Sequence, residues 1–479
     1  MNRKQAPKAK VSQDTAAPCA TKSPCPVRSK AREEGLVLYD GLWYSVGKFV
    51  PHHPGGAEVL QQYLGTDISF VFRVMHRDPD KIMKYRKPVR AAAPDEMKVL
   101  TERRSEICKD MMDEYQTKYK ASPAKGMMQN LHPDKFDLES FEKDATSLWK
   151  QFIQLGYFKP SRLWIIKNTI ALYALLASSI ICMKVLPPSC FVVPGVLLGL
   201  FWHQSGYLMH DAEHHNVAGN ERVNDILGWM YGTVCLGVNG AWWREEHREH
   251  HAFLNAYDSK GFKDPQMRED IWIQNKKLIP FFGDELIHFL TNFQHILFLP
   301  VIFLAGRVGI VIDSTVTERK FRPWTKLGNV CHVLLHYAVL CQAPRPVAVY
   351  IVASLWQAIL SLQLLGNHYV KPWNYITDAT EGNFFIWQIL ATQDFSCPKW
   401  ARWFYGGLNF HYSHHCFPTL SREYFHLTTP LIRSLCEKHG LPFQEIAFVD
   451  CVKEMVANFD DVRKEFREHG RGSLALLYT

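Results

Sequence analysis

The chain has 479 residues, a formal net charge of +8 and 12 scattered cysteines that form no C-x-x-C pair. This cysteine pattern argues against a disulfide scaffold and favours reduced thiols in a cytosolic setting. The Lys and Arg excess falls mainly in residues 1–125, and the basic N-terminal run has no interleaved aromatic side chains, which favours a face beside a membrane over nucleic-acid binding.

The composition of the chain changes near residue 35. Residues 1–34 are rich in Lys, Ala, Pro and Ser and contain no apolar core, so they predict a disordered tail and not a cleaved secretory signal. Residues 36–39 and 42–46 are short apolar and aromatic runs around Asp40-Gly41, a pattern that predicts a β-hairpin. We therefore expect a small folded domain over residues 35–92 that begins with this hairpin.

Within that domain, His53 precedes Pro54-Gly55-Gly56, and His76 follows 23 residues after His53. A haem iron held by protein on both faces needs two imidazoles on opposite sides, and glycines let the backbone pass close to the flat macrocycle. Taken alone, the His-Pro-Gly-Gly sequence is equally typical of a turn at the start of a helix. Together with His76, it predicts two ligands beside a close-packed glycine turn.

Residues 93–160 predict a linker with two amphipathic helices. Apolar side chains recur at helical spacing among charges in both of its halves. The first stripe consists of Leu100, Ile107, Met111, Tyr115 and Tyr119, and the second of Phe141, Ala145, Leu148, Trp149 and Phe152. We expect each helix either to lie on the membrane surface or to pack on its own domain.

A membrane domain is expected over residues 161–445, and its pattern is all-α. Residues 164–186 and 189–209 each approach the roughly 20 residues that a spanning helix needs. Because the two runs are joined by the short turn Pro187-Pro188, they predict a hairpin whose two outer ends face the same side of the membrane.

The later apolar runs are harder to assign. Residues 226–243 are rich in Gly and are expected to be interfacial or buried. Three further runs compete for the remaining crossings, at residues 293–312, 329–341 and 346–366. The middle run is short and carries His332 and His336, so we expect that it does not cross. The sequence therefore predicts four transmembrane helices in two hairpins.

Nine of the chain's 22 histidines lie in three short boxes. These candidate catalytic and metal-ligating residues are His210, His214 and His215, then His247, His250 and His251, and finally His411, His414 and His415. In the second and third boxes, the H-x-x-H-H spacing places three imidazoles on one face of a helix. Any one box alone is also typical of surface or core histidines. Imidazole suits iron, copper, zinc and nickel, and a zinc ion needs only about four donors, so nine donors predict two metals.

The boxes and the paired histidines of the small domain explain one another chemically. Two irons can activate O2 together and take hydrogen from an unactivated methylene, which no amino-acid side chain does alone. Each turnover also needs two external electrons, and a one-electron carrier bound by the paired histidines would supply them one at a time. The first hypothesis is a membrane oxidoreductase, either a desaturase or a hydroxylase. The second is a non-catalytic haem carrier with a membrane anchor.

Residues 36–90 resemble a cytochrome b5 domain, and most of residues 36–445 is similar to the fused, front-end branch of the integral-membrane fatty acid desaturases. The second resemblance depends on the boxes and on Trp242-Trp243, Asp264-Pro265, Gly406-Gly407 and Cys416-Phe417-Pro418. The first implies a small α+β domain that binds haem b, with His53 and His76 as axial ligands. The second implies a di-iron centre held by the box histidines, O2 as co-substrate, and a long acyl chain on coenzyme A or a phospholipid.

Two positions near the third box refine this resemblance. Asn367-His368 lies where the family often adds a ligand, so His368 is a further candidate. His411 stands where front-end members usually have Gln, a departure that leaves the divergent cytochrome b5-related branch and the double-bond position open.

The resemblance and the charge pattern also give a location and partners. We expect a multi-pass protein of the endoplasmic reticulum membrane, with the N-terminus and a C-terminal tail at residues 446–479 both in the cytosol. A cytochrome b5 reductase is the expected electron donor. Membrane lipids are expected partners, and nucleic acid is not.

Overall fold

The structure is a computed structural model that describes residues 25–119, 131–266, 271–282, 285–318 and 322–477. Side chains are described as far as residue 468. The chain forms a small N-terminal α+β domain that packs on a larger and mostly helical body.

A three-stranded antiparallel sheet organises the N-terminal domain. Strands β1 (Leu36–Tyr39), β2 (Leu42–Ser45) and β3 (Arg90–Ala91) pair in that order, with Leu38 opposite Trp43. Asp40 and Gly41 have φ values of 50° and 75°, the left-handed geometry of a two-residue hairpin turn. This confirms the predicted hairpin. Around the sheet lie helices α1 (Pro26–Glu33), α2 (Ala57–Gln62), α3 (Ser69–Met75) and α4 (Pro79–Met83).

Helix α1 corrects the predicted N-terminal tail, which was extended to residue 34. Cys25 and Ala31 are buried in a cluster with Leu36 and Trp43. Pro26 begins the helix, a position that suits proline because its missing N–H needs no partner there. The rest of the predicted tail, residues 1–24, lies outside the described residues.

Helices α5 (Pro94–Tyr119) and α6 (Leu138–Gln154) confirm the two predicted helices of the linker. The side chain of Asp137 caps α6 by accepting a hydrogen bond from the backbone N–H of Ser140. All ten residues of the two predicted apolar stripes are buried. Both helices therefore pack their apolar stripes against the protein and not on the membrane surface.

The helices of the larger body follow in chain order. They are α7 (Arg162–Val185), α8 (Val192–Glu213), α9 (Glu221–Gly228), α10 (Gly240–Ala252), α11 (Glu285–Thr291), α12 (Gln294–Val316), α13 (Pro323–Leu340), α14 (Pro346–Gly366), α15 (Ile376–Glu381), α16 (Phe384–Leu390), α17 (Arg402–Tyr405), α18 (His411–Cys416), α19 (Phe425–Lys438) and α20 (Phe448–Leu477). A π-helix, Trp229–Leu236, joins α9 to the loop before α10. Among the described residues, α7, α12 and α14 are the helices whose length and composition suit a membrane crossing.

Short strands correct the expectation of an all-α body. They are β4 (Ala256–Asp258), β5 (Gly261–Phe262), β6 (Asn374–Tyr375), β7 (Asp394–Ser396) and β8 (Glu445–Ala447). Strand β4 pairs with β5 and β6, and β7 pairs in parallel with β8. These pairings join loops that lie near the histidine boxes but far apart in the sequence. Because hydropathy reports only local composition, it does not predict them.

Helices α8 and α14 lie in close backbone contact. A Cβ atom added at Gly195 or at Gly199 would lie 2.6 Å from the side chain of Val352 or Trp356, respectively. Small residues four positions apart allow helices to approach this closely in a membrane. The contact sets the ends of α8 and α14 side by side, and both ends lead into candidate ligands.

The two ends of helix α13 contact segments at opposite ends of the helical body. At its start, the Trp229 indole N–H donates to the backbone carbonyl of Trp324 at 2.8 Å. Just past its end, Arg345 lies over the Phe191 ring at 5.9 Å, in a crevice that Pro188 also lines. The turn after α13 therefore adjoins the turn between α7 and α8.

The predicted C-terminal tail is largely the long helix α20. Its residues Met455, Phe459 and Val462 are buried in a cluster with Trp272 and Phe298. This part of the chain therefore belongs to the packed body, a correction to its description as a tail.

Candidate metal centre and haem site

The first box lies at the C-terminal end of α8. His210 and His214 are one turn apart, and the Nε2 atom of His210 lies 2.9 Å from the Nε2 atom of His414 in the third box. Asp211 between them pairs with Arg422 at 2.6 Å. The end of α8 is thereby fixed against the segment that follows the third box.

His215 does not join the other histidines. It follows the end of α8 with a φ of 59°, in the left-handed region. Its Nε2 atom lies 3.2 Å from both Asp225 and Arg244. The structure therefore places this predicted ligand in a polar network beside the site.

The second box occupies the last turns of α10, where His247, His250 and His251 are all buried. His247 donates through Nδ1 to Gln266 Oε1 at 2.6 Å, and His250 donates through Nδ1 to the Asp264 carboxylate at 2.9 Å. Because these bonds hold the proton on Nδ1, the Nε2 lone pair of each ring is available to a metal.

The third box forms the short helix α18, which is buried throughout. His415 donates through Nδ1 to Gln388 Oε1 at 2.9 Å. His368, just past the end of α14, donates through Nδ1 to the Ala391 carbonyl at 2.9 Å and brings its Nε2 atom to 2.8 Å from that of His411. The structure thus brings His368 and all three box residues together.

The histidine side chains form two adjoining groups. One consists of His210, His214, His247 and His414, the other of His250, His368 and His415, and His251 lies between them with His414 and His415. Within each group, the ligand nitrogens all lie within 4.8 Å of one another. Two ions with metal–nitrogen bonds of about 2 Å fit nitrogens at these separations. A donor set made of imidazoles suits iron, copper or zinc.

Burial keeps these imidazoles in the form that binds metals. Desolvation lowers the pKa of His247, His251 and His414 well below the ordinary value, and the neighbouring histidines lower each pKa further. A neutral imidazole retains the lone pair that a metal requires. The protein therefore does not have to remove protons from the site before metal binds.

His53 and His76 face each other in the N-terminal domain, with ring centroids 6.2 Å apart. They donate through Nδ1 to the carbonyls of Gly56 and Phe72, at 3.0 and 2.9 Å, which leaves each Nε2 free for a ligand. One iron with bonds of about 2 Å to both Nε2 atoms fits this separation. Desolvation lowers the pKa of His53, and it lowers the pKa of His76 to about 4, so both rings are neutral. The pair fits a haem with two histidine ligands.

Sequence reasoning missed the side chains that orient the metal ligands. Gln266 and Gln388 lie 19 and 27 positions along the chain from the histidines that they contact. Asp264 was noted only as part of the family resemblance. No spacing rule joins such residues to a box, and a buried polar residue in an apolar region is the one signal that points to them.

The fold and the two sites define a membrane oxidoreductase of the histidine-box class with a fused haem-binding domain. A family model described as fatty acid desaturase matches residues 187–447, and one described as cytochrome b5-like haem/steroid binding domain matches residues 27–117. The chain belongs to the fatty acid desaturase family, and the first match alone covers more than half of its length.

Named relatives match most of the length of the chain. The chain is 26% identical to a Delta(8)-fatty-acid desaturase of Helianthus annuus, over 86% of this chain and 84% of the relative. It is 25% identical to an acyl-lipid (9-3)-desaturase of Borago officinalis, over 86% of each chain. A Delta(6)-fatty-acid desaturase of Caenorhabditis elegans is 24% identical, over 84% of this chain and 90% of the relative. The protein is thus a front-end fatty acid desaturase with a fused cytochrome b5 domain, as the sequence predicted.

Proposed function

We propose that the two histidine groups bind two iron ions, and that the enzyme uses O2 to introduce a double bond into a long acyl chain. The convergence of the three boxes and His368 into two adjoining groups carries this proposal. Iron bound there supplies the O2 activation that removal of hydrogen from an unactivated methylene requires. One O2, two hydrogen atoms of the acyl chain, two electrons and two protons give one C=C bond and two waters.

The chain's own residues hold and orient the ligands. Asp264 and Gln266 keep the His250 and His247 imidazoles turned with Nε2 inward, and Gln388 does the same for His415. Trp243 stacks on the His247 ring with centroids 4.0 Å apart and restricts its rotation. This packing also excludes bulk water from a site that has to handle a strong oxidant.

The fused domain is the proposed route of electrons to the site. His53 and His76 would hold the haem, which when bound would supply transfer of one electron at a time. Because each double bond consumes two external electrons, an outside donor has to reduce the haem twice per turnover. We propose a cytochrome b5 reductase as that partner.

We further propose that α7, α8, α13 and α14 cross the membrane as two hairpins. Both ends of α12 contact segments on the side of the boxes: Gln294 donates to the Phe459 carbonyl at 3.1 Å, and Ser314 accepts from the Asn239 N–H at 3.2 Å. The 18 residues of α13 span about 27 Å, close to the thickness of a bilayer core. This assignment reverses the expectation for residues 329–341 and keeps four crossings.

With this arrangement, the two adjoining turns after α7 and α13 face the lumen of the endoplasmic reticulum. The boxes, the haem domain and both termini face the cytosol, where a reductase has access to the haem. The basic N-terminal region agrees with that orientation. The desaturase relatives, one of them named acyl-lipid, favour an acyl chain carried on a membrane lipid over one carried on coenzyme A.

The test is the lipid profile of a host that expresses the chain, with His414→Ala as the inactive control. We expect acyl chains with one additional double bond in the wild-type host only. Isolated membranes given labelled phospholipid or labelled acyl-CoA separate the two carriers. A hydroxylated acyl product would contradict desaturation, and an absence of product from iron- and haem-loaded protein would contradict the catalytic proposal.

A further inference from the structure

The N-terminal domain is fixed on the desaturase body by contacts that bury charge and aromatic surface. Glu381 of the body accepts hydrogen bonds from Arg28 and from Arg103, and the Arg103 Nε atom lies 3.1 Å from the carboxylate. Phe70 of the domain packs on Phe385 of the body with ring centroids 5.5 Å apart. These contacts determine which face of the domain meets the histidine boxes.

The docked orientation turns the haem-ligand pair towards α10, the helix of the second box. Gly56, in the turn after His53, lies against this helix, and a Cβ atom added there would lie 3.5 Å from Glu249 Oε1. Lys263, which follows α10 in the chain, pairs with Glu58 of the domain. The haem site therefore adjoins the helix that carries His247.

Arg248 is a cation of α10 at this interface without a direct partner. Its side chain is only partly exposed. Among acidic side chains, Glu213 and Asp225 have the largest electrostatic effect on it. Both of these pair with Arg244 instead, at 2.7 and 2.5 Å. In the part of the chain that the structure describes, Arg248 has neither an ion pair nor a side-chain hydrogen bond.

Arg248 lies on the helix that contacts the turn after His53, within electrostatic range of both His53 and His76. A guanidinium presents five N–H donors in a planar fork that matches a carboxylate. Haem b carries two carboxylates, its propionates, at one edge of the macrocycle.

We propose that Arg248 binds a haem propionate, so that the propionate edge of the haem faces the second-box helix. Arg248 is next to His247 and two positions from His250, so this pairing joins the haem edge to the helix that holds metal ligands. The inference rests on haem being held by His53 and His76, as in the proposed function, but it does not require desaturase activity.

The test measures two properties of the full-length, haem-loaded protein: the rate of haem transfer to excess apomyoglobin and the haem midpoint potential. We expect Arg248→Gln to accelerate haem loss about ten-fold, since a charge-assisted hydrogen bond is removed. The midpoint potential should fall, because a nearby cation favours the more electron-rich ferrous state. Arg248→Lys keeps the charge and should retain the potential, with haem loss intermediate between wild type and Arg248→Gln.

The matched control is Lys263→Gln, which removes a positive charge from the same interface where that charge already has a partner in Glu58. We expect wild-type haem loss and potential in this variant. Unchanged haem loss in Arg248→Gln would overturn the pairing even with a shifted potential, and so would an equal effect of Lys263→Gln. Because both readouts concern haem alone, a protein without desaturase activity still tests the inference. Loss of the low-spin haem spectrum in the wild type would instead refute the haem assignment.

Discussion

The Nε2 atoms of His368 and His411 lie 2.8 Å apart in the buried site. His411 is also 4.4 Å from His415 between ring centroids. His368 keeps its proton on Nδ1, where it donates to the Ala391 carbonyl, so its Nε2 lone pair faces His411. Without metal, the Nε2 atom of His411 can donate to that lone pair, and it lies close enough to share a metal ion with His368. The geometry therefore supports His411 as a ligand of the second histidine group.

Replacement of His411 tests this role. We expect His411→Ala to lower bound iron by about half, because one of two sites loses a ligand, and to lower activity with it. His411→Gln restores the residue usual in front-end desaturases and should retain much of both. The measurement is iron per protein by mass spectrometry, together with product formation. Wild-type iron content in the Ala variant would instead indicate that His411 only orients its neighbours by hydrogen bonding.

His215 and His214 are adjacent in the chain but differ in surroundings, which makes them a matched pair. We expect His214→Ala to lose iron, because His214 belongs to the first histidine group. We expect His215→Ala to keep its iron, since His215 contacts Asp225 and Arg244 instead. Equal iron loss in the two variants would show that His215 turns inward when metal is bound.

The sequence predicted the convergence of the boxes for a physical reason that also accounts for the position of His215. Residues at i, i+3 and i+4 share a face while the chain remains helical, which holds for His247, His250 and His251 on α10. The helix of the first box ends at Glu213, and the φ of 59° at His215 turns that side chain away. Spacing alone cannot indicate where a helix stops.

Hydropathy likewise reports how apolar a segment is and not whether the segment crosses the membrane. It favoured residues 293–312 over 329–341 as a crossing, although Arg307 in the first run is a buried charge. Arg307 donates to the Leu236 carbonyl and lies 4.3 Å from the Trp202 ring, contacts made between distant segments. The docking of the haem domain was also beyond prediction, because it depends on pairs such as Arg28 and Glu381 that lie 353 positions apart.

The haem ligands are tested by spectroscopy. We expect His53→Ala or His76→Ala to abolish the six-coordinate low-spin haem spectrum, because each leaves one face of the iron without its imidazole. Turnover should stop, since electrons no longer arrive singly through the haem, while iron in the histidine boxes remains. The neighbouring His52→Ala is the control and should leave the spectrum unchanged. A low-spin spectrum in either ligand variant would refute the assignment.

The proposed topology differs from the hydropathy assignment at one place, the connection between α12 and α13. We insert a specific protease site after Thr317 in one variant and after Gln342 in another. In sealed microsomes, we expect cleavage from the cytosolic side after Thr317 and protection after Gln342. If α12 crosses and α13 does not, both sites are lumenal and both are protected. Cleavage of both sites after detergent treatment checks that each insertion is accessible.

Lys371 is a buried amine near the end of α14, where it donates a hydrogen bond to Gln444 and lies 5.2 Å from the Tyr119 ring. Desolvation lowers the pKa of Lys371 and the negative charge of Glu454 raises it, with a net decrease to about 7. The unfolded chain has the ordinary lysine pKa of about 10.5. Between pH 7 and 10.5, the unfolded state therefore binds a proton that the folded state does not.

Stability should consequently rise with pH across that interval, by up to about 1.4 kcal/mol per pH unit from this group. We expect Lys371→Met, which keeps an unbranched apolar side chain without the charge, to raise the melting temperature most at pH 7 and less at pH 9. The measurement is thermal unfolding of the detergent-solubilised protein across this range. Lys453→Met is the control, because the side chain of Lys453 is 72% exposed, and it should leave the pH dependence as in the wild type. A melting temperature that rises equally at pH 7 and pH 9 in Lys371→Met would mean that Lys371 does not change protonation on folding.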